Sequence, residues 1–267
     1  MKHQLLAAGA FLIMAAGVIG CSKSNDTATT PTTPTATAAV STTTTTTATP
    51  TTPATTTATS TQAIFSQFGG TGVSVTFEGT TAVIRTSDLP DHKSPYWGVG
   101  NANYEAPQSG MQVNPNRIGT QNLTFRIPTQ PAAASGASDT PLGPIGVSVN
   151  GVVLYNQYAA GRQPLTTEII SFDRYNGHPN QNDQYHYHFE PVSITSASRS
   201  RLVGVLLDGY PVYGPIDGTG SAPANLDSCN GHTSETAEFP NGIYHYHTTT
   251  AVPYISGCFR GTAGTVR

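Results

Sequence analysis

Ile145-Gly146-Val147-Ser148-Val149-Asn150-Gly151 is repeated as Val203-Gly204-Val205-Leu206-Leu207-Asp208-Gly209, and this pair of stretches decides how the chain is read. Both are short apolar runs that end on a turn dipeptide, Asn-Gly or Asp-Gly, as a strand running into a hairpin does. The match continues at the same offset of 58 residues, with Val153-Leu154-Tyr155 against Pro211-Val212-Tyr213. Two further blocks follow in the same order. Asp173-Arg174-Tyr175-Asn176-Gly177-His178 stands against Asp227-Ser228-Cys229-Asn230-Gly231-His232, and Tyr185-His186-Tyr187-His188 against Tyr244-His245-Tyr246-His247. An ordered set of matched blocks is the mark of an internal duplication. The repeats run from about 145 to 188 and from about 203 to 247, and they predict a core with two-fold pseudo-symmetry.

Outside the repeats the pattern is also that of strands. Val73-Ser74-Val75-Thr76-Phe77 and Leu123-Thr124-Phe125-Arg126-Ile127 alternate apolar and polar residues, which puts one face of each strand toward a core. Glycine and proline recur, and only Ile169 to Tyr175 suggests a short helix. The expected class is mainly β, a sandwich or a pair of packed sheets, over residues 63–267.

The first 62 residues read differently. Lys2 and the apolar run Leu5 to Val18, followed by Val18-Ile19-Gly20-Cys21, have the form of a lipoprotein signal peptide over 1–20. The run is short for a membrane-spanning helix. Cleavage before Cys21 would leave a lipidated cysteine at the new N-terminus. Residues 21–62 are nearly all Thr, Pro, Ala and Ser, too poor in apolar surface to offset the entropy of ordering them, so a disordered linker is expected. About 40 such residues span about 35 Å as a flexible coil. The expected place is the cell envelope, with the membrane as partner through lipid. Ser22, where many lipoproteins held at the inner membrane have aspartate, directs the expectation to the outer membrane of a two-membrane cell.

Only 10% of residues are charged and the net charge is -3. With no basic run, nucleic acid is excluded as a partner. Cys229 and Cys258 are the pair left over in an exported chain, so a disulfide between them is expected.

Six of the eight histidines fall in the repeat: His178, His186 and His188, then His232, His245 and His247. Alternate residues of a strand share a face, about 6 to 7 Å apart at Cα. His-x-His therefore presents two imidazoles together, and a third from the Asn-Gly turn could complete a three-histidine metal site. Imidazole without thiolate or thioether suits Zn, Cu(II), Ni or Fe. Asp173 and Asp227 could orient ligand histidines through their second nitrogen or cap the turn. Glu190, Glu235 and Glu238 are candidate bases near the histidines in sequence. The expected function is binding of a transition metal, Zn or Cu. The alternatives are a metal-dependent hydrolase or oxidase and, with Tyr96, Trp97 and Tyr104 as contacts, a surface adhesion or glycan-binding module.

Tyr244-His245-Tyr246-His247, with Cys229-Asn230-Gly231-His232 before it and Gly257-Cys258-Phe259-Arg260-Gly261 after it, resembles the YHYH-domain family. Leu207-Asp208-Gly209-Tyr210-Pro211-Val212-Tyr213-Gly214-Pro215 fits the same pattern. The resemblance covers roughly residues 120 to 265 and implies kinship with uncharacterised exported bacterial proteins. Where members of that family carry a further histidine soon after Asn-Gly-His, this chain has Thr233-Ser234-Glu235.

Overall fold

The computed structural model describes residues 63–267; the expected signal peptide, the expected lipidation site Cys21 and the Thr/Pro-rich segment lie outside the described residues. The two alternating segments form strands as expected. β1 (Ser74–Glu78), β2 (Thr81–Thr86) and β3 (Leu123–Pro128) pair antiparallel in that order. Ala82, Ile84, Phe125 and Ile127, at alternate positions of β2 and β3, are all fully buried. β4 (Ala133–Asp139) leads from this sheet into the repeats.

The first repeat contributes β5 (Pro144–Ser148), β6 (Val153–Tyr155), β7 (Gly177–Pro179) and β8 (Tyr185–Tyr187). The second contributes β9 (Leu202–Leu206), β10 (Pro211–Tyr213), β11 (Gly231–Ser234) and β12 (Ile243–His247). All eight form one sheet in the order β11-β12-β10-β9-β5-β6-β8-β7. Read outward from its centre, each half is the same. An antiparallel hairpin comes first, then a parallel neighbour, then an antiparallel edge strand.

The register fixes the symmetry. β5 and β9 pair antiparallel with Val147 opposite Val205, Gly146 opposite Leu206 and Ser148 opposite Gly204. Val147 and Val205 are themselves equivalent residues, so the pseudo-two-fold axis passes between them, normal to the sheet. The two glycines make this central pairing close. A Cβ on Gly146 would come within 2.5 Å of the Val205 carbonyl oxygen, and one on Gly204 within 2.3 Å of that of Val147.

The C-terminus adds β13 (Cys258–Gly261), paired with β4, and β14 (Thr265–Val266), which extends the first sheet beside β3. Ile84, Phe125 and Ile127 of the first sheet and Ile145, Val147, Val205, Tyr187 and Tyr246 of the eight-stranded sheet belong to one hydrophobic core. Ile169 to Tyr175 yields only a 3-10 turn, Ile169–Ser171, followed by a tight turn. Among the described residues no helix is long and apolar enough to cross a membrane.

Candidate metal centres

The motif Asp-x-x-Asn-Gly-His and the motif Tyr-His-Tyr-His form one structural unit in each repeat. Asp173 Oδ1 accepts from the backbone N–H of Tyr175 and Gly177, and Asp227 Oδ1 from those of Cys229 and Gly231. Asn176 and Asn230 follow at positive φ, 66° and 65°, a conformation that asparagine tolerates better than most residues. The glycine then leaves room for a ring. A Cβ at Gly177 would lie 2.3 Å from the Tyr185 ring, and at Gly231 2.1 Å from the Tyr244 hydroxyl oxygen. That same tyrosine hydroxyl donates to the aspartate, at 2.8 Å for Tyr185–Asp173 and 3.0 Å for Tyr244–Asp227.

Of the two roles expected for Asp173 and Asp227, turn capping is the one that holds, and the orienting of ligand histidines requires correction. Neither hydrogen-bonds a histidine; each caps its turn and holds the first tyrosine of its motif. The reason is alternation. A residue that reaches the tyrosine side of the strand faces away from the imidazoles.

The second tyrosine ties the unit to the hairpin turn of its own repeat. Tyr246 donates to buried Asp208 at 2.6 Å, and at the equivalent place the Asn150 amide approaches the Tyr187 hydroxyl at 3.4 Å. His92 Nε2 lies 2.9 Å from the Tyr187 hydroxyl, so His92 serves the tyrosine side and stands apart from the clusters.

Pairing then assembles the histidines. His178 of β7 lies directly opposite His186 of β8, and His232 of β11 opposite His245 of β12. His188 and His247 stand two residues further along, on the same face. The result is two triads. In the first, His186 Nε2 is 3.1 Å from His178 Nε2 and 3.0 Å from His188 Nε2. In the second, the three Nε2 atoms are 3.2, 3.2 and 3.0 Å apart. The triads do not face each other across a single site. Five strand spacings of about 4.8 Å separate β8 from β12, or about 24 Å, and the axis normal to the sheet puts both on one face.

The other ring nitrogens define the protonation state. His186 Nδ1 donates to the Gln184 carbonyl and His188 Nδ1 to that of Asn156. The equivalent bonds run from His245 to Ile243 and from His247 to Gly214. A carbonyl only accepts, so the proton of each neutral ring sits on Nδ1 and Nε2 presents a lone pair. Ser171 completes the first triad. Its hydroxyl donates to the Glu168 carbonyl at 2.7 Å, so toward His178 Nδ1, also at 2.7 Å, it accepts. All three Nε2 atoms of the first triad are thus lone pairs directed at one another. Two are so fixed in the second, where His232 has no comparable lock and Ser234 Oγ lies 3.3 Å from its Nε2.

Burial keeps these rings neutral. It lowers His178 to about 3 and His188 to about 4, and takes His186 well below its ordinary value; neighbouring histidines add to the effect on His178 and His186. Burial likewise lowers His245 to about 4 and depresses His247. Unprotonated nitrogens held 3.0 to 3.1 Å apart, as in His178–His186, His186–His188 and His245–His247, repel unless a cation lies between them. That spacing lets all three reach an ion at the usual distance of about 2.0 to 2.1 Å.

Several neighbours escaped sequence reasoning. Glu168 Oε2 lies 3.7 Å from His178 Nε2 and 4.0 Å from His188 Nε2, and burial raises its pKa. Tyr155 stacks on His186 with ring centres 4.0 Å apart, and its equivalent Tyr213 meets His245 edge-on at 5.1 Å. The Tyr155–Tyr213 match was the available signal for these two; Glu168 and Ser171 had none. The carboxylates expected near the histidines are engaged elsewhere or exposed. Glu190 pairs with Arg199, Glu238 accepts from Tyr213, and Glu235 is on the surface. Cys229 and Cys258 form the expected disulfide.

A cavity of about 640 Å³ opens onto the first triad and is lined by all three of its histidines. A second, of about 480 Å³, touches only His232 of the other triad and lies toward Asp227 and Arg260.

No curated protein and no solved structure matches this chain. The family model described as YHYH protein matches residues 124–221 and 217–261, more than half of the chain and nearly all of both repeats. Both Tyr-His-Tyr-His strands lie within the matched residues, and the chain belongs to the YHYH protein family.

Proposed function

We propose that this protein is an exported, lipid-anchored metal-binding protein that holds two transition metal ions, Zn or Cu, one in each histidine triad. His178, His186 and His188 bind one ion, and His232, His245 and His247 bind the other. The observation that carries this reading is the committed Nδ1 of five of the six ligand rings, which leaves converging Nε2 lone pairs with no proton to share. Zinc and cupric ions suit such neutral imidazole sets, and second-nitrogen hydrogen bonds of this kind accompany histidine ligation generally.

Elemental analysis of protein purified from its own compartment tests the reading. Two ions per chain are expected. His245→Ala/His247→Ala should leave one, His186→Ala/His188→Ala one, and the four together none. Full metal content in the quadruple variant would refute it. The lipid anchor rests on Val18-Ile19-Gly20-Cys21, and mass spectrometry of the mature N-terminus should find acylated Cys21. A metal-dependent hydrolase or oxidase is the second reading, favoured by the cavity and by Glu168 beside the first triad. Adhesion through aromatic contacts loses Tyr96, which is fully buried with its hydroxyl on the Ser171 carbonyl.

A further inference from the structure

Three histidines satisfy three positions of an ion that commonly takes four or more ligands. What can occupy the next position differs between the triads. All three histidines of the first line the 640 Å³ cavity together with Tyr155 and Glu168. In the second, only His232 lines a cavity, the 480 Å³ one, while His245 and His247 line neither.

The first cavity also has a definite chemical character. Among its lining residues Glu168 is the one carboxylate, and there is no lysine or arginine. A ligand's donor atom meets the ion, but an anionic group on its body would meet that carboxylate with no lysine or arginine in the wall to offset it. The wall includes Val113, Leu142 and Ile170, which are 39%, 45% and 44% exposed. Large apolar side chains this open to water gain most from a ligand that covers them.

We propose that the ion held by His178, His186 and His188 accepts an exogenous small molecule as a further ligand. That molecule is uncharged, with one nitrogen or oxygen donor at its tip and an apolar body seated on Leu142, Val113 and Ile170. The ion of the second triad takes no such ligand. This rests on the metal-binding reading above. Glu168, on the cavity side of the triad, accepts a hydrogen bond from an N–H or O–H next to the donor atom and disfavours an anionic group on the ligand's body.

The test uses the full chain loaded with Co(II), whose visible spectrum reports its ligands. His245→Ala/His247→Ala isolates the first triad and His186→Ala/His188→Ala the second. Each is titrated with imidazole, 4-phenylimidazole and imidazole-4-acetate. For the first triad, 4-phenylimidazole should change the spectrum with half-saturation at least ten-fold below that of imidazole, and imidazole-4-acetate should bind more weakly than imidazole. The second triad should show no preference for the phenyl compound. Leu142→Ser/Ile170→Ser, at exposed positions, should bring the preference below three-fold with bound Co(II) unchanged. A first triad that binds Co(II) but whose spectrum does not respond would overturn the inference alone, as it would if Glu168 closed the coordination itself. A preference that survives Leu142→Ser/Ile170→Ser would overturn the assigned seat of the apolar body. A folded His245→Ala/His247→Ala variant that takes up no Co(II) would instead overturn the metal reading.

Discussion

The two histidine triads share strand pairing, ring orientation, tyrosine supports and capped turns, yet their surroundings have diverged. The first is locked on all three Nδ1 atoms, has Glu168 within 4.0 Å and opens into a cavity. The second is locked on two, has a half-buried His232, and lies inside the 29-residue span closed by Cys229–Cys258. One backbone plan therefore supports two strategies. One added hydrogen bond, from His178 to Ser171, holds the third ring of the first triad, and a covalent cross-link constrains the loop that carries the second.

The largest expected effect comes from deleting one ligand of each triad. Structural zinc sites contribute about 10 to 16 kcal/mol, or about 3 to 4 kcal/mol per ligand. His178→Ala should therefore weaken the first site by about 10² to 10³-fold. His232→Ala should weaken the second by less, because that ring is less fixed beforehand; competition titrations against a chelator would measure both. An equal loss would erase the proposed difference in rigidity. Next comes the cross-link. Cys229→Ser/Cys258→Ser should cost about 3 to 4 kcal/mol of stability by loop-closure arguments. It should lower affinity at the second site while leaving the first unchanged, read by chemical denaturation and metal titration.

Ser171→Ala removes the acceptor that orients His178. Loss of such a partner typically reduces metal affinity about 10 to 100-fold, here at the first site only. The smallest effect concerns pH. The rings titrate lower when folded than their ordinary 6.5, so the unfolded chain takes up protons first as pH falls. The metal-free protein should hold its full histidine contribution above about pH 6.5 and lose it progressively toward pH 4. With metal bound, protons compete least at the first triad, where every Nδ1 is engaged and burial lowers His178 to about 3. Acid titration followed by metal-sensitive dye should release the second ion first. Simultaneous release would show that the two environments are equivalent to a proton.

Much of this was legible in the sequence because strand period and hairpin spacing are local. The 58-residue offset carries directly into the Val147–Val205 pairing, and alternation puts His186 with His188 and His245 with His247. The turn histidines were also found, since Asn-Gly-His marks where a strand begins. What could not be read is whatever reaches a site from irregular chain. Glu168 and Ser171 sit on successive 3-10 turns with no periodic pattern. The cavity exists only where Gln112 to Asn116 and Leu142 are brought beside them. Which of their two expected roles Asp173 and Asp227 take could not be read either, because sequence proximity to a histidine does not say which face of a strand a carboxylate reaches.

The Val147–Val205 pairing carries a last consequence. Two identical subunits meeting through an isologous interface would pair their central strands in this way, each residue facing its own copy on the axis. Here a single polypeptide supplies both partners. In a homodimer every substitution appears twice, so one pocket cannot open while the other closes. Joining the halves covalently lifts that restraint. A change such as the arrival of Glu168 is confined to one side, and the shared strand pair keeps holding the two unequal halves together.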